Sequence, residues 1–521
     1  MSEAKPTTAA PTPNVMEAIV SLCKRRGFVY QASEIYGGIR GFWDYGPLGV
    51  LLKNNIRDWW WRAMVECPPM GPDGHPVEIV GLDSSIIQHP KTWKASGHVD
   101  GFNDPMVDCR ETKSRYRADH VKVYVPKDGV GGGVAFVDDV EGAEKKIKRE
   151  LRRNPADFEV VTLTSLPLEK YALIIGPDTK TPGTLTEPRA FNLMLDTYPG
   201  PIRDEENKAY LRPETAQGIF LNYKNVIDTT RVKVPFGVAQ IGKSFRNEVT
   251  PRNFIFRSRE FEQMEMEFFC PPDEAMKWYE FWRDERMKWW LSLGIKPEHL
   301  KLRDHASDEL AHYSKACVDV EYLYPFTAPD FGELEGIAHR GSFDLTQHSQ
   351  HSGAKLDYFD QELQLKLKES GASPEEIKAK SRYIPNVIEP ASGLTRAVLV
   401  LLCEAYRKDE SRPSPEYLAF KPALAPVKAG IFPLVNKDGM PEVAEKLYME
   451  LRKSFTVEYD AKQSIGKRYA RMDEIGTPYS ITVDGETMSG QVVTIRHRDT
   501  QAQDKVEVGK VKGWLEEKLG E

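Results

Sequence analysis

Between residues 241 and 269 the chain reads IGKSFRNEVTPRNFIFRSREFEQMEMEFF, a strand-like stretch unusually rich in both signs of charge. The spacing predicts two antiparallel strands joined by an exposed loop. Arg246 and Glu248 alternate with Phe245 and Asn247, and the loop carries Arg252 and Arg257. The return strand holds Arg259, Glu260, Glu262, Glu265 and Glu267. A strand pair ordinarily turns its charges to one solvated face; a large cleft lined by both signs accounts for this pattern better. Arginine forks grip polyphosphate in a bidentate way, and Phe261 offers a ring to stack on a purine. The competing reading is a ladder of cross-strand ion pairs.

Other elements must hold these groups. Residues 15–29 have apolar positions at helical spacing and stop at Gly27, and 50–65 reads as a second helix. Its three consecutive tryptophans, Trp59, Trp60 and Trp61, cannot all face one core, so at least one meets another element or another subunit. Residues 76–87 suggest a strand, 273–294 a strong helix, 384–390 a short strand and 392–407 an apolar, buried helix. GVGGGVAF (129–136) is read as a flexible loop, since it lacks a strand–loop–helix phosphate-binding context. EGAEKKIKRELRRN (141–154) is a charged, solvated helix, and residues 100–185 read as an insertion on a larger core. After FKPALAPVKAG (420–430) comes a small α/β region of about 95 residues with a partly parallel sheet. Residues 1–13 are read as a disordered tail.

Phe245-Arg246-Asn247-Glu248, a loop, then Arg259-Glu260-Phe261 resembles motif 2 of the class II aminoacyl-tRNA synthetases. Ile388-Glu389-Pro390 with Gly393-Leu394-Thr395-Arg396 resembles motif 3, and the 50–65 helix with the strand running to Pro90 resembles motif 1. Within that class the chain resembles the homodimeric glycyl-tRNA synthetases. The matching stretches include GFWDYGPLG (41–49), TWKASGH (92–98), RAFNLML (189–195), RPETAQGIF (212–220), GIAHR (336–340) and NVIEPASGLTR (386–396). They continue into GKRYARMDEIGTPYSITVD (466–484).

The resemblance implies an α+β fold: a class II catalytic core built on an antiparallel sheet over residues 14–420, and an anticodon-binding α/β domain over 421–521. It implies ATP-dependent ligation of glycine to tRNA(Gly) through a glycyl-adenylate, with Mg2+ accompanying ATP, in a cytoplasmic homodimer. It gives ATP to Arg246, Glu248, Phe261 and Arg396, with Arg246 and Arg396 as the catalytic pair. It gives the ammonium group of glycine to Glu214, Glu265 and Glu389, and part of the pocket wall to Arg340. Three acids converging on one small cavity repel one another unless a cation enters, and an ammonium group is that cation. Alternation places Glu265 and Glu267 on one strand face and Glu262 on the other. Only the resemblance chooses 265 over 267. Arg212, Gln217 and Arg257 are expected near the substrates.

Two departures stand out. The family commonly has serine directly after Glu-Pro in motif 3, whereas here Ala391 comes first and Ser392 follows. Ser392 either supplies the glycine contact from the next position or caps the following helix, and the cap is the preferred reading. The family also often has an acid two residues after the Arg340 position; here Ser342 stands there, and Asp344 remains.

Composition adds little. The 521 residues carry a formal net charge of -7, which does not advertise a nucleic-acid binder. Lys467-Arg468-Tyr469-Ala470-Arg471 supplies a local basic patch suited to RNA, with Arg496 and Arg498 as further basic residues and acids among them, and RNA contact is the alternative reading of the 141–154 helix. The six cysteines, Cys23, Cys67, Cys109, Cys270, Cys317 and Cys403, include no close pair, so no zinc is expected. No apolar run is long enough to span a membrane. The rival functions are a synthetase-like, non-catalytic subunit that binds nucleic acid, and a class II synthetase for another small amino acid. Intact Arg246, Glu248, Phe261 and Arg396 argue against the first.

Overall fold

The computed structural model describes residues 14–137, 139–311 and 314–520, and the expected N-terminal tail lies outside them. The described residues form two compact units. One comprises residues up to 86, 214–244 and 253 onward; the other comprises 87–213 and 245–252.

In the first unit, helix α1 (Asn14–Arg26) precedes helix α2 (Pro47–Trp61) and strand β1 (Ile79–Gly81). Then come α3 (Ala216–Thr230), β2 (Phe236–Phe245), β3 (Glu260–Cys270) and α4 (Ala275–Ser292). Strands β4 (Leu300–Asp304), β5 (Ala316–Tyr322) and β6 (Gly332–Gly341) lead to α5 (Phe343–Ser352), β7 (Asn386–Gly393) and α6 (Leu394–Ala405). Among the described residues the main sheet has seven strands in the order β4-β5-β6-β7-β3-β2-β1. Pairing is antiparallel from β4 through β7 to β3, and β1 runs parallel to β2.

The strand period sorts this sheet into two faces. Met264, Met266 and Phe268 of β3, Ile388 of β7, Ile337 of β6 and Val318 and Val320 of β5 enter the main apolar core. Helices α2, α4 and α6 cover that face; α4 contributes Trp278, Trp282, Trp289 and Trp290, and α6 the run Val398–Leu402. The alternate positions, including Glu265, Glu267, Glu389 and Ala391, look the other way. At one end of that second face α3 packs Ile219, Phe220 and Tyr223 against Phe269 and Val387.

The three tryptophans divide as their spacing requires. Trp60 is buried in the core, and Trp59 donates through Nε1 to Ser292 of α4 at 3.2 Å. The Trp61 ring lies so close to Gly81 that a Cβ there would come within 2.5 Å of it. Each therefore meets an element of its own chain.

The C-terminal part of this unit holds β8 (Ala429–Pro433), α7 (Met440–Leu451), β9 (Val457–Tyr459), α8 (Ile465–Ile475), β10 (Tyr479–Val483), β11 (Val492–His497), β12 (Gln503–Glu507) and α9 (Val511–Gly520). The sheet order is β9-β8-β10-β11-β12. Strand β8 is parallel to β9 and β10, and the remaining pairs are antiparallel. This is the mixed α/β arrangement expected there, around a core of its own.

The second unit contains a four-stranded sheet and two three-stranded ones. Here the expected loop at 129–136 is corrected: Gly133–Phe136 is a buried strand, paired with 122–124 on one side and 174–175 on the other. A Cβ on Gly132 would fall 2.4 Å from the Leu173 carbonyl oxygen. Two of the glycines therefore permit close strand packing rather than a free loop. The charged helix begins as expected at Val140–Lys146 and ends in a π turn, Ile147–Leu151. Among the described residues, no helix is long and apolar enough to cross a membrane.

Candidate active site

The register of β3 against β7 builds the centre. Glu265 pairs with Ala391 and Phe268 with Ile388, which sets Glu267 opposite Glu389. Carboxylate oxygens of Glu265, Glu267 and Glu389 lie within 4.8 Å of one another. Glu265 is 1% exposed and Glu267 fully buried. Strand β6, on the other side of β7, places Gly336 beside Ala391 and Ala338 beside Glu389. The two β6 positions beside Ala391 and Glu389 thus carry nothing taller than a methyl group.

One cation faces this group. Arg340, at an irregularity in the β6–β7 register, donates through Nη1 to Glu389 at 2.5 Å. Its Nε and Nη2 donate to the two oxygens of Asp344 at 2.8 and 3.0 Å. Asp344 sits in the first turn of α5. Gln217, buried in the first turn of α3, donates to Asp344 at 3.0 Å and to Glu214 at 2.9 Å. Its carbonyl oxygen takes the Nε2–H of His348 at 2.8 Å. Burial holds His348 below its ordinary pKa, so it serves here as a neutral donor. Glu265 accepts from Thr215, just before α3, and from Gln263 Nε2 at 3.4 Å. Ser244 in turn donates to Gln263 at 2.7 Å.

Burial lifts Glu265, Glu267 and Glu389 above the ordinary carboxylate range. Repulsion from Glu389 and Glu214 adds to the lift at Glu265, and repulsion from Glu389 adds to it at Glu267. At Glu389 the Arg340 guanidinium opposes the rise. The site is therefore built for a positive guest that brings its own hydrogen-bond donors. A divalent metal fits less well, because Arg340 already occupies Glu389. A second group of mixed donors, His305, Cys317 and Asp319, lies on β5 and just after β4. There His305 donates to Asp319 at 2.8 Å and Arg303 stands 3.5 Å from the same carboxylate, so the charge is already balanced by the protein.

Most residues singled out in the sequence fall into this description. Glu214, Glu265, Glu389, Arg340 and Gln217 form one network. Phe261 is the second residue of β3, half-buried, on the face of Gln263 and Glu265 by alternation. Arg396, in the first turn of α6, pairs with the Glu333 carboxylate at 3.1 Å and lies over the Phe256 ring at 4.8 Å. Arg257 is half-buried and follows the 3-10 turn Phe254–Phe256. The ion-pair reading of the hairpin is also partly right: Lys243 pairs with Glu260, and Lys53 of α2 with Glu262 at 2.8 Å.

Ser392 is corrected on both readings. It lies in β7 opposite Met264, on the core face, and its hydroxyl reaches the Met264 carbonyl at 3.4 Å. The residue before α6 is Gly393, with no side-chain cap. Strand pairing continues three residues past the expected end at 390, and Ser392 is carried away from Glu389 by the strand period. The basic patch is also corrected. Arg468 is buried and donates to the carbonyls of Pro433, Asp460 and Leu434. Arg496 forks onto Asp473 at 2.9 Å through both nitrogens, and Arg498 donates to the carbonyls of Gly476 and Phe420. These three arginines hold the fold; Lys467 remains exposed.

In the second unit, Arg246 donates through Nε to the Pro213 carbonyl at 3.0 Å and lies over the Phe102 ring at 5.5 Å. The Arg212 carbonyl accepts from the Phe245 N–H at 2.9 Å, and its side chain is buried. Glu248 is nearly buried, and Arg117, which pairs with Asp104 and Asp119, feels its charge. The joining loop is less exposed than expected: of residues 246–257 only Thr250 and Arg252 are exposed. Sequence reasoning missed His348, Thr215 and Gln263. His348 follows Asp344 by one helical turn, a spacing that could have paired them.

Known proteins agree with the geometry. Residues 198–406 match the tRNA synthetase class II core domain (G, H, P, S and T), and 428–518 match the anticodon binding domain. A glycine–tRNA ligase of Rhodopirellula baltica is 49% identical over 97% of this chain and 99% of its own length. Those of Corynebacterium glutamicum and Nocardia farcinica are 45% and 46% identical, over 97% and 98% of this chain and 98% of each relative. With this identity sustained from end to end, and both domains in place, the chain belongs to the glycine–tRNA ligase family of class II synthetases.

Proposed function

We propose that this protein activates glycine with ATP and transfers it to tRNA(Gly). The observation that carries the reading is the buried acid group of β3 and β7, Glu265 and Glu389, joined by Glu214 and bounded by Arg340. A glycine ammonium entering there finds acceptors for its three N–H bonds and supplies the charge the pocket lacks. Arg340, Asp344 and Gln217 form a hydrogen-bonded wall that resists displacement. A methyl group on the substrate would have to push that wall aside, which sets alanine at a disadvantage.

The glycine carboxylate attacks the α-phosphorus of ATP and pyrophosphate leaves; a hydroxyl of the terminal adenosine of tRNA then attacks the carbonyl of the glycyl-adenylate, and AMP leaves with the bond to phosphate broken. No protein nucleophile takes part. Catalysis consists of positioning and of neutralising developing charge. Arg246 takes the α-phosphate and the substrate carboxylate, Glu248 the adenine edge, Phe261 the adenine face and Arg396 the γ-phosphate. Arg396 must then exchange Glu333 for phosphate. Arg212 and Arg257 are nearby contacts of lower rank. Magnesium accompanying ATP would supply charge neutralisation at the departing pyrophosphate.

Residues 14–420, with an insertion at about 100–185, act as the catalytic domain, and 421–521 read the anticodon. The working form is a cytoplasmic homodimer, joined through the region of α2 and β1. The test is pyrophosphate–ATP exchange with each of the twenty amino acids, followed by charging of tRNA(Gly). Glycine alone should support exchange. Exchange with a different amino acid, or with none from folded protein and Mg2+, overturns the reading.

A further inference from the structure

Glu267 is the buried acid for which the reaction has no use. Its side chain is fully buried on the site face of β3, and neither carboxyl oxygen has a hydrogen-bond partner in the protein. Glu389 stands opposite on β7, and Glu265 two residues along the same strand. Arg340 is the guanidinium seen facing the group among the described residues, and it donates to Glu389 and Asp344. With Asp344 balanced by Arg340, three buried carboxyl groups remain for a single incoming ammonium. Two carboxylates can share that cation; a third charge, buried and without donors, would be left uncompensated.

Resting on the glycine reading of this site, we propose that Glu267 is a positioning residue that stays a neutral carboxylic acid, with or without glycine bound. Its proton keeps one further negative charge out of a pocket that receives a single ammonium group. Its carboxyl oxygens lie within 4.8 Å of oxygens of Glu389 and Glu265, so a proton held there adds no third negative charge beside two of the carboxylates that touch the substrate. The charged groups facing it all bear on this. Glu389 from β7, Glu265 from its own strand and Asp344 from α5 favour the proton, and Arg340 from β6 opposes it. Desolvation is the largest influence and favours the proton as well. Glutamine has the same shape and neutrality, whereas alanine leaves a gap and no donor.

The test uses the full-length enzyme with Glu267→Gln, Glu267→Ala and, as a control, Glu265→Gln. Infrared difference spectra at neutral pH should show a carboxylic acid C=O band in the wild type that persists with glycine and disappears in Glu267→Gln. Pyrophosphate exchange should give Glu267→Gln a KM for glycine within about threefold of wild type. Glu267→Ala should raise it by about tenfold or more with the KM for ATP unchanged. No acid band assignable to Glu267, or a Glu267→Gln variant as damaged as Glu265→Gln, overturns the proposal. Failure of the wild type itself to use glycine would instead overturn the glycine reading. The infrared band reports on Glu267 in either case, and it does not depend on activity.

Discussion

Arg340 binds Glu389 through one guanidinium nitrogen at 2.5 Å while its other two nitrogens hold Asp344, and all three side chains are buried or nearly so. The planar fork spans two acids that come from different elements, β7 and α5. Lysine cannot reproduce that geometry. Removing the guanidinium leaves two buried carboxylates facing each other. Arg340→Met should therefore destabilise the protein by about 3–5 kcal/mol in urea unfolding. Arg340→Lys should fold but raise the KM for glycine more than that for ATP.

Ala391 and Ser392 face opposite ways, so their order matters. Ala391 lies on the floor beside Glu265, and Ser392 faces the core. Ala391→Ser should add a hydroxyl within the site and lower the KM for glycine by about 3- to 10-fold, the worth of one hydrogen bond. Ser392→Ala should leave that KM unchanged. Steady-state exchange kinetics decide both.

The acid group also makes stability depend on pH. Glu265, Glu267 and Glu389 hold protons more tightly in the folded chain than in the unfolded one. Their contribution is complete below the ordinary carboxylate value of 4.5 and is lost as pH rises through their raised folded values. The urea midpoint of the glycine-free enzyme should fall across that span. Glu267→Gln should remove part of the fall, and saturating glycine should offset part of it by supplying a cation. A midpoint that rises with pH through this range would contradict the assignment.

Asp473 is the hub of the C-terminal part. It receives both terminal nitrogens of Arg496 at 2.9 Å and Arg412 Nη1 at 3.3 Å. Asp473→Ala should cost about 3–5 kcal/mol, because the buried Arg496 guanidinium loses its counter-charge and Arg412 is left with Asp409 alone. Arg496→Ala should likewise lower the melting temperature. Lys467→Ala, at an exposed site, should leave melting unchanged and weaken tRNA binding in a salt-dependent manner. Calorimetry and filter binding separate the two behaviours.

The sequence made the main elements legible where period and type agree. The alternation in EFEQMEMEFF foretold which residues face the core and which face the acids, and α6 was visible as an apolar run. Glu265 and Glu267 could not be told apart, because the strand period gives both the same face. What separates them is the hydroxyl of Thr215, which reaches Glu265 from a segment 50 residues earlier. Ser392 was misread because a serine before an apolar helix looks the same whether the backbone is capping or still paired in a strand. Arg496 and Arg498 were misread because charge alone does not say whether a guanidinium meets solvent or buried carbonyls. Gly133 begins a packed strand, and Gly132 lies against the Leu173 carbonyl just before it, for a reason only the neighbouring backbone supplies.

The central claim is that Glu265 receives the ammonium group of glycine, and its most direct test is the KM split in Glu265→Gln. Pyrophosphate exchange should show the KM for glycine raised about 30-fold or more, the loss of a charge-assisted hydrogen bond, with the KM for ATP within about twofold of wild type. Equal effects on both substrates, or an unchanged KM for glycine in a folded variant, would contradict it.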